Sequence, residues 1–237
     1  MTGATGRSAD GRRRAILAID SATSQVVVAA GSPAGRLLGA STWAAGYRHG
    51  EQLLASIGRL LGELDLRRSR LDAIIVGTGP GAFTGLRVGL ATAKGLAHAL
   101  GRPIVGVSTA EALLAASAAA EGVELHPVAL LLPAGPSDRV LVEPGRPPRL
   151  LAGGHEPDLP ADVALVALDL DGRAAPEALA RGGRARSGLA AALIRLGAAH
   201  LAASGGDDLA RLVPEYVTLP RGIREQTGEV AWSRDPR

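Results

Sequence analysis

Apolar side chains first fall into three short runs, 15–20, 25–30 and 36–43, parted by the polar or glycine-rich stretches 21–24 and 31–35. That spacing predicts a strand meander. Over 50–64 the period changes: Leu53, Leu54, Ile57, Leu60, Leu61 and Leu64 recur at helical spacing, giving an amphipathic helix of about four turns. A continuous apolar run at 72–77, a glycine-rich loop at 77–85, a helix over 86–100 stopped by Gly101 and Pro103, and a run at 104–107 then make a strand–helix–strand unit with parallel strands. Ser108 with Glu111 three positions on forms a capping box and opens a further helix. Seven of the fifteen prolines lie between 133 and 160, where they interrupt strand-like runs at 139–143 and 149–152. A buried strand is expected at 163–168, and a last long helix from a Ser187 cap to Gly205 and Gly206.

This pattern divides the 237 residues into a basic tail at 1–14, a first lobe at 15–115, a smaller turn-rich lobe at 116–213 and a C-terminal tail at 214–237 carrying Trp232. The absence of cysteine excludes disulfide frameworks, thiolate metal sites and a cysteine nucleophile. Lys94 is the only lysine among the 26 basic residues, so the arginine count reflects a compositional bias rather than phosphate binding. The tails carry the net positive charge and leave the body nearly neutral, which does not support a broad nucleic-acid face. Arg12 to Arg14 precede only a short apolar run before Asp20, too short for a signal-peptide core. A cytoplasmic protein without membrane contact is expected, the alanine-rich stretches reading as buried or amphipathic helices.

Chemistry concentrates at the loop Gly79, Pro80, Gly81, Ala82, Phe83, Thr84, Gly85. Glycines at a strand-to-helix junction allow positive φ and close backbone approach, and such loops often hold anions. The Walker pattern is excluded because no GK[ST] follows. A relaxed dinucleotide pattern lacks its acid after the next strand. A tight turn with Thr84 capping the helix is the plainer reading. Downstream, Gly85, Gly89, Ala93 and Ala97 fall four apart and form a ridge of small side chains flanked by Leu86 and Leu90. The ridge suits close packing, either on a partner or on the chain's own sheet. Asp20, Ser21 and Thr23 end the first strand where actin-like phosphotransferases meet phosphate and metal, although Asp and Ser also make ordinary turns through backbone hydrogen bonds. Ser108 in GVSTA lacks the last glycine of a nucleophile elbow. The five histidines include no i, i+4 pair, so no metal site is drawn. His49 and Glu51 read as a tied-down helix entrance more readily than as an acid–base pair.

Taken together, AIDSATS from Ala18, RHGEQLLASI at 48–57 and GPGAFTGLRVGLATAKGLAHALGRPIVGVSTAEAL at 79–113 resemble the TsaB family. That family is the actin-like (ASKHA, ribonuclease H-like) subunit of the bacterial machinery that installs threonylcarbamoyladenosine on tRNA. PEYVTLPR at 214–221 is a looser match. The resemblance implies an α/β two-lobe fold with a complete N-terminal and a reduced C-terminal lobe, and a noncatalytic scaffold without cofactor. Its partner would be the catalytic TsaD subunit or a second copy of itself. The TsaE ATPase would join through the complex, and tRNA contact would be indirect or weak. The partner interface would lie on the two early helices, at Leu53, Leu54, Ile57, Leu61, Gly85, Leu86, Gly89, Leu90, Ala93 and Ala97. The sequence departs from the family at Gly50, Ala55 and Ala82, and at 130–139, where a D-A-R run is missing. The alternative from another class is an active phosphotransferase or ATPase using Asp20 and the glycine loop around a nucleotide and magnesium.

Overall fold

The computed structural model describes residues 13–45, 49–121 and 127–217, and the side chains of His49 and Glu51, like Trp232, fall outside that description. The meander forms as the pattern requires: β1 (Ala15–Asp20), β2 (Gln25–Gly31) and β3 (Leu37–Ala44) pair antiparallel in succession. β4 (Leu71–Gly77) and β5 (Ile104–Val107) add in parallel on the other side of β1, giving the order β3-β2-β1-β4-β5. Every residue of β1 is buried because it is central and covered on both faces.

A second sheet repeats this topology. β6 (Val128–Pro133), β7 (Arg139–Val142), β8 (Arg149–Leu151) and β9 (Ala164–Ala167) take the order β8-β7-β6-β9, with β6 antiparallel to β7 and parallel to β9. Among the described residues the counterpart of β5 is missing. Two sheets of one topology, the second a strand short, are the actin-like α/β fold with a complete first lobe and a reduced second one. The sequence pattern predicts no strand at 128–133, because the run is short and closed by prolines at both ends.

The helices decide how the sheets meet. α1 (His49–Glu63) and α2 (Phe83–Leu100) cover the outer face of the first sheet, and α3 (Thr109–Glu121) and α4 (Pro176–Ser204) lie between the sheets. One core therefore runs from Ile16 and Ala18 through Leu113, Leu189 and Leu193 to Leu130. Residue 115, where the first lobe was expected to end, falls inside α3, which serves both lobes. α4 begins at Pro176 rather than at Ser187. Pro176 is preset for the first turn, and the Ser187 hydroxyl instead donates to the Gly183 carbonyl at 3.1 Å in mid-helix. By length and composition α4 could cross a bilayer, but its leucine face is buried in this core.

α4 approaches the first sheet closely at Gly197, where a Cβ would stand 2.6 Å from Ile75 Cγ1. Ile75 is fully buried and cannot give way. Gly197→Ala should cost about 1–3 kcal/mol and lower Tm by about 2–4 °C per kcal/mol. An unchanged melting curve would contradict this packing.

Candidate functional site

Four chain segments converge at the end of β1. Asp20 is 0% exposed. Its Oδ1 accepts the Ala22 N–H at 3.0 Å, the local turn typical of aspartate. Its Oδ2 accepts the Thr109 hydroxyl at 2.6 Å, and Thr109 Oγ1 accepts the Gly79 N–H at 3.1 Å. Burial raises the Asp20 pKa to about 6, against the opposing pull of the Thr109 and Ala22 hydrogen bonds.

The glycine loop closes over this turn. The Ala82 N–H donates to the Ala22 carbonyl at 2.7 Å, and the Ser21 hydroxyl donates to the Gly85 carbonyl at 2.7 Å. A Cβ on Gly77 would overlap the Asp20 carboxylate, and one on Gly85 would overlap the Ser21 carbonyl oxygen. Gly81 and Gly89 have equally little room against Ala22 and the Ser21 hydroxyl. The glycines thus serve close backbone approach, and the turn at Asp20, Ser21 and Thr23 is clamped by its own chain. The two groups expected as separate elements of a phosphate site are packed on each other. An Asp20 this buried offers no oxygen to a solvent cation. Among the described residues no three His, Asp or Glu side chains gather as a metal cluster.

Several expected details change. α2 starts at Phe83 with Ala82 as its cap residue, so Thr84 is an exposed first-turn residue rather than the cap. Ser108 does accept the Glu111 N–H, at 3.4 Å, but its hydroxyl also donates to the Gly79 carbonyl at 3.1 Å. The small ridge faces inward: Gly85 and Gly89 meet Ser21, while Ala93 and Ala97 pack on the first sheet with Leu90. Of the ten residues expected at a partner interface, nine are buried in this chain. Leu53, Ile57 and Leu61 line the same core, and Leu86 is 2% exposed. Leu54 alone, 56% exposed, reaches the surface. The correction is one of helical phase, because the outer faces carry Leu54, Ala55 and Gly62 on α1 and Arg87, Ala91, Gly95 and Ala99 on α2.

Other contributors were not singled out from sequence. Thr109 was masked by its neighbour Ser108, the better cap candidate. Asp169 accepts the Ser24 N–H at 2.8 Å and the Ser24 hydroxyl, and pairs with Arg186, which ties the second lobe to the β1–β2 turn. The Glu215 N–H donates to the Thr78 carbonyl at 2.8 Å, so the C-terminal segment crosses the glycine loop. Burial, followed by the neighbouring Glu111 charge, raises the Glu215 pKa. Beside this crossing lies a cavity of about 610 Å³, lined by Pro80, Phe83, Pro133, Asp138 and Tyr216 among others and, among the described residues, by no basic side chain.

The family profile described as tRNA N6-adenosine threonylcarbamoyltransferase (TsaD) matches residues 43–222. An uncharacterized protein of Mycobacterium leprae is 48% identical over 65 residues, 27% of this chain and 18% of that protein. The tRNA threonylcarbamoyladenosine biosynthesis protein TsaB of Bacillus subtilis is 39% identical over 67 residues, 28% of this chain and 29% of that protein. The chain spans about a third or less of the length of these relatives. A solved Pseudomonas aeruginosa protein, described as similar to the peptidase YeaZ, superposes with TM-score 0.67 at 25% identity, covering 86% of this chain and all of that one.

The buried carboxyl sets a pH dependence. Its folded pKa of about 6 lies above the ordinary 3.8, so its stabilising share is complete below the lower value and is lost as pH rises through the higher one. Between about pH 4 and pH 7 the wild type should lose up to about 3 kcal/mol that Asp20→Asn does not lose. Urea unfolding of both proteins at the two pH values measures this, and identical pH dependence would refute it.

Proposed function

The chain belongs to the TsaD family, in its TsaB (YeaZ-like) branch, and from that premise we propose that it is a noncatalytic scaffold of the complex that forms threonylcarbamoyladenosine on tRNA. Its role is to bind the catalytic TsaD subunit. The observation that carries this reading is the outward face of α1 and α2. Leu54, 56% exposed, stands among the small exposed residues Ala55 and Gly62, and α2 alongside presents Ala91, Gly95 and Ala99. Small side chains on two neighbouring helices let another pair of helices come close. A docked subunit would bury about 800 Å² of each partner.

The clamped Asp20 turn supports the noncatalytic part of the reading, since its only carboxylate is enclosed by Thr109, Gly77 and the glycine loop. The same face suits a second copy of the chain when TsaD is absent, and TsaE would join through the complex. The nearly neutral body makes tRNA contact indirect or weak. The work would take place in the cytoplasm, where tRNA is modified.

Size-exclusion chromatography of the chain mixed with its TsaD at micromolar concentration should give a complex. Leu54→Glu should weaken it about tenfold or more, because the substitution would bury a charge at the contact. Its Tm should stay near the wild-type value, as surface changes move stability little. Separate elution of the two wild-type subunits would refute the proposal.

A further inference from the structure

Beyond the small-residue face, and resting on the docking role above, the geometry points to Arg87 as a preorganised anchor for a carboxylate on the partner subunit. The guanidinium carbon of Arg87 lies 3.8 Å from the Phe83 ring centroid. Its Nε donates to the Tyr216 hydroxyl at 3.1 Å, and the Phe83 and Tyr216 rings are 5.1 Å apart at 35°. Few aromatic residues exist to do this, for the whole chain has one Phe, two Tyr and two Trp. Two of those five hold one arginine.

Arg87 is exposed, and among the described residues no carboxylate pairs with it. Two rings and one hydrogen bond fix the plane of the guanidinium and leave its terminal amino groups without an acceptor among the described residues. A flexible surface arginine loses rotamer freedom on binding, whereas this one has already lost it, so an ion pair formed here retains more of its energy. The planar fork matches a carboxylate with two parallel hydrogen bonds. Arg87 is also the only arginine of α2 and stands at the edge of a stripe otherwise made of Ala91, Gly95 and Ala99. A single fixed charge beside a small apolar stripe sets the orientation of a protein partner.

An RNA phosphate would be bound by the same fork, but the surroundings disfavour it. Among the described residues the cavity next to Phe83 and Tyr216 carries Asp138 and no basic side chain, whereas RNA surfaces line up several cations.

The test titrates the full-length chain into its TsaD subunit, using wild type, Arg87→Gln, Arg87→Lys and Tyr216→Phe, with Tm recorded for each. Arg87→Gln should weaken association about tenfold. Arg87→Lys should recover little of that, because an ammonium does not reproduce the stacked fork. Tyr216→Phe, which keeps the ring and removes the hydroxyl, should weaken it by about two- to fivefold. Raising the salt from about 0.05 to 0.5 M should weaken the wild-type complex more than the Arg87→Gln complex. Undiminished binding by Arg87→Gln, or equal salt dependence, overturns the assignment while leaving the docking role intact. Full rescue by lysine overturns the preorganised fork. No complex with the wild-type chain overturns the docking role itself. A gel-shift arm with tRNA decides the other occupant: loss of tRNA affinity in Arg87→Gln with subunit affinity unchanged overturns the carboxylate in favour of phosphate.

Discussion

The fit of the glycine loop around the Asp20–Ala22 turn is the contact on which the rest of the first lobe depends. It joins the end of β1, the loop after β4, the start of α2 and, through Thr109, the start of α3. Each of those junctions sets the direction of the element that follows. α2 can settle on the first sheet only because Gly85 and Gly89 bring its backbone against Ser21. A side chain at either position would lift its first turns. Hydrogen bonds from Ala82, Ser21 and Thr109 fill this corner. The energetic consequence is a buried carboxyl whose ionisation opposes folding, which is tolerable for a structural pin and unsuited to holding a metal ion.

The same packing explains why the outer helix faces are plain. With most leucines of α1 and the small ridge of α2 committed to the sheet, what remains outside is Leu54, small residues such as Ala55, Gly62, Ala91, Gly95 and Ala99, and polar or charged ones such as Gln52, Arg59, Glu63, Arg87 and His98. Below them, α3 and α4 give both sheets one continuous core, and Asp169 adds a polar tie from the second lobe to Ser24. A common core and a lateral tie favour a fixed platform over a cleft that opens and shuts around a substrate. The C-terminal segment reinforces the platform by crossing the loop at Glu215 and placing Tyr216 against Phe83.

Much of this was legible in the sequence, for reasons that differ by element. β1, β2 and β5 are buried runs between turn residues, and such runs declare themselves. α2 was marked at both ends, by the glycine loop and by Gly101. Its orientation was not: Gly85, Gly89, Ala93 and Ala97 make one small stripe and Ala91, Gly95 and Ala99 make another, and periodicity cannot tell which of two small stripes faces the sheet. The start of α4 was hidden because Arg181, Arg184 and Arg186 break the apolar period ahead of Ser187. Long-range partners such as Thr109 for Asp20, Asp169 for Ser24 and Tyr216 for Arg87 carry no local signal, since the fold alone brings them together. The resemblance to the TsaB family pointed to α1 and α2, but nine of the ten residues it suggested there face the chain's own core.

The claim most exposed to refutation is that the Asp20 corner is filled by the protein itself. Calorimetric titration of the full chain with magnesium-ATP, and separately with inorganic phosphate, tests it at neutral pH. The structure predicts no binding heat at ligand concentrations up to about 1 mM, a free energy weaker than about −4 kcal/mol. Saturable micromolar binding of magnesium-ATP that disappears in Asp20→Asn would contradict it and make the corner a working phosphate site.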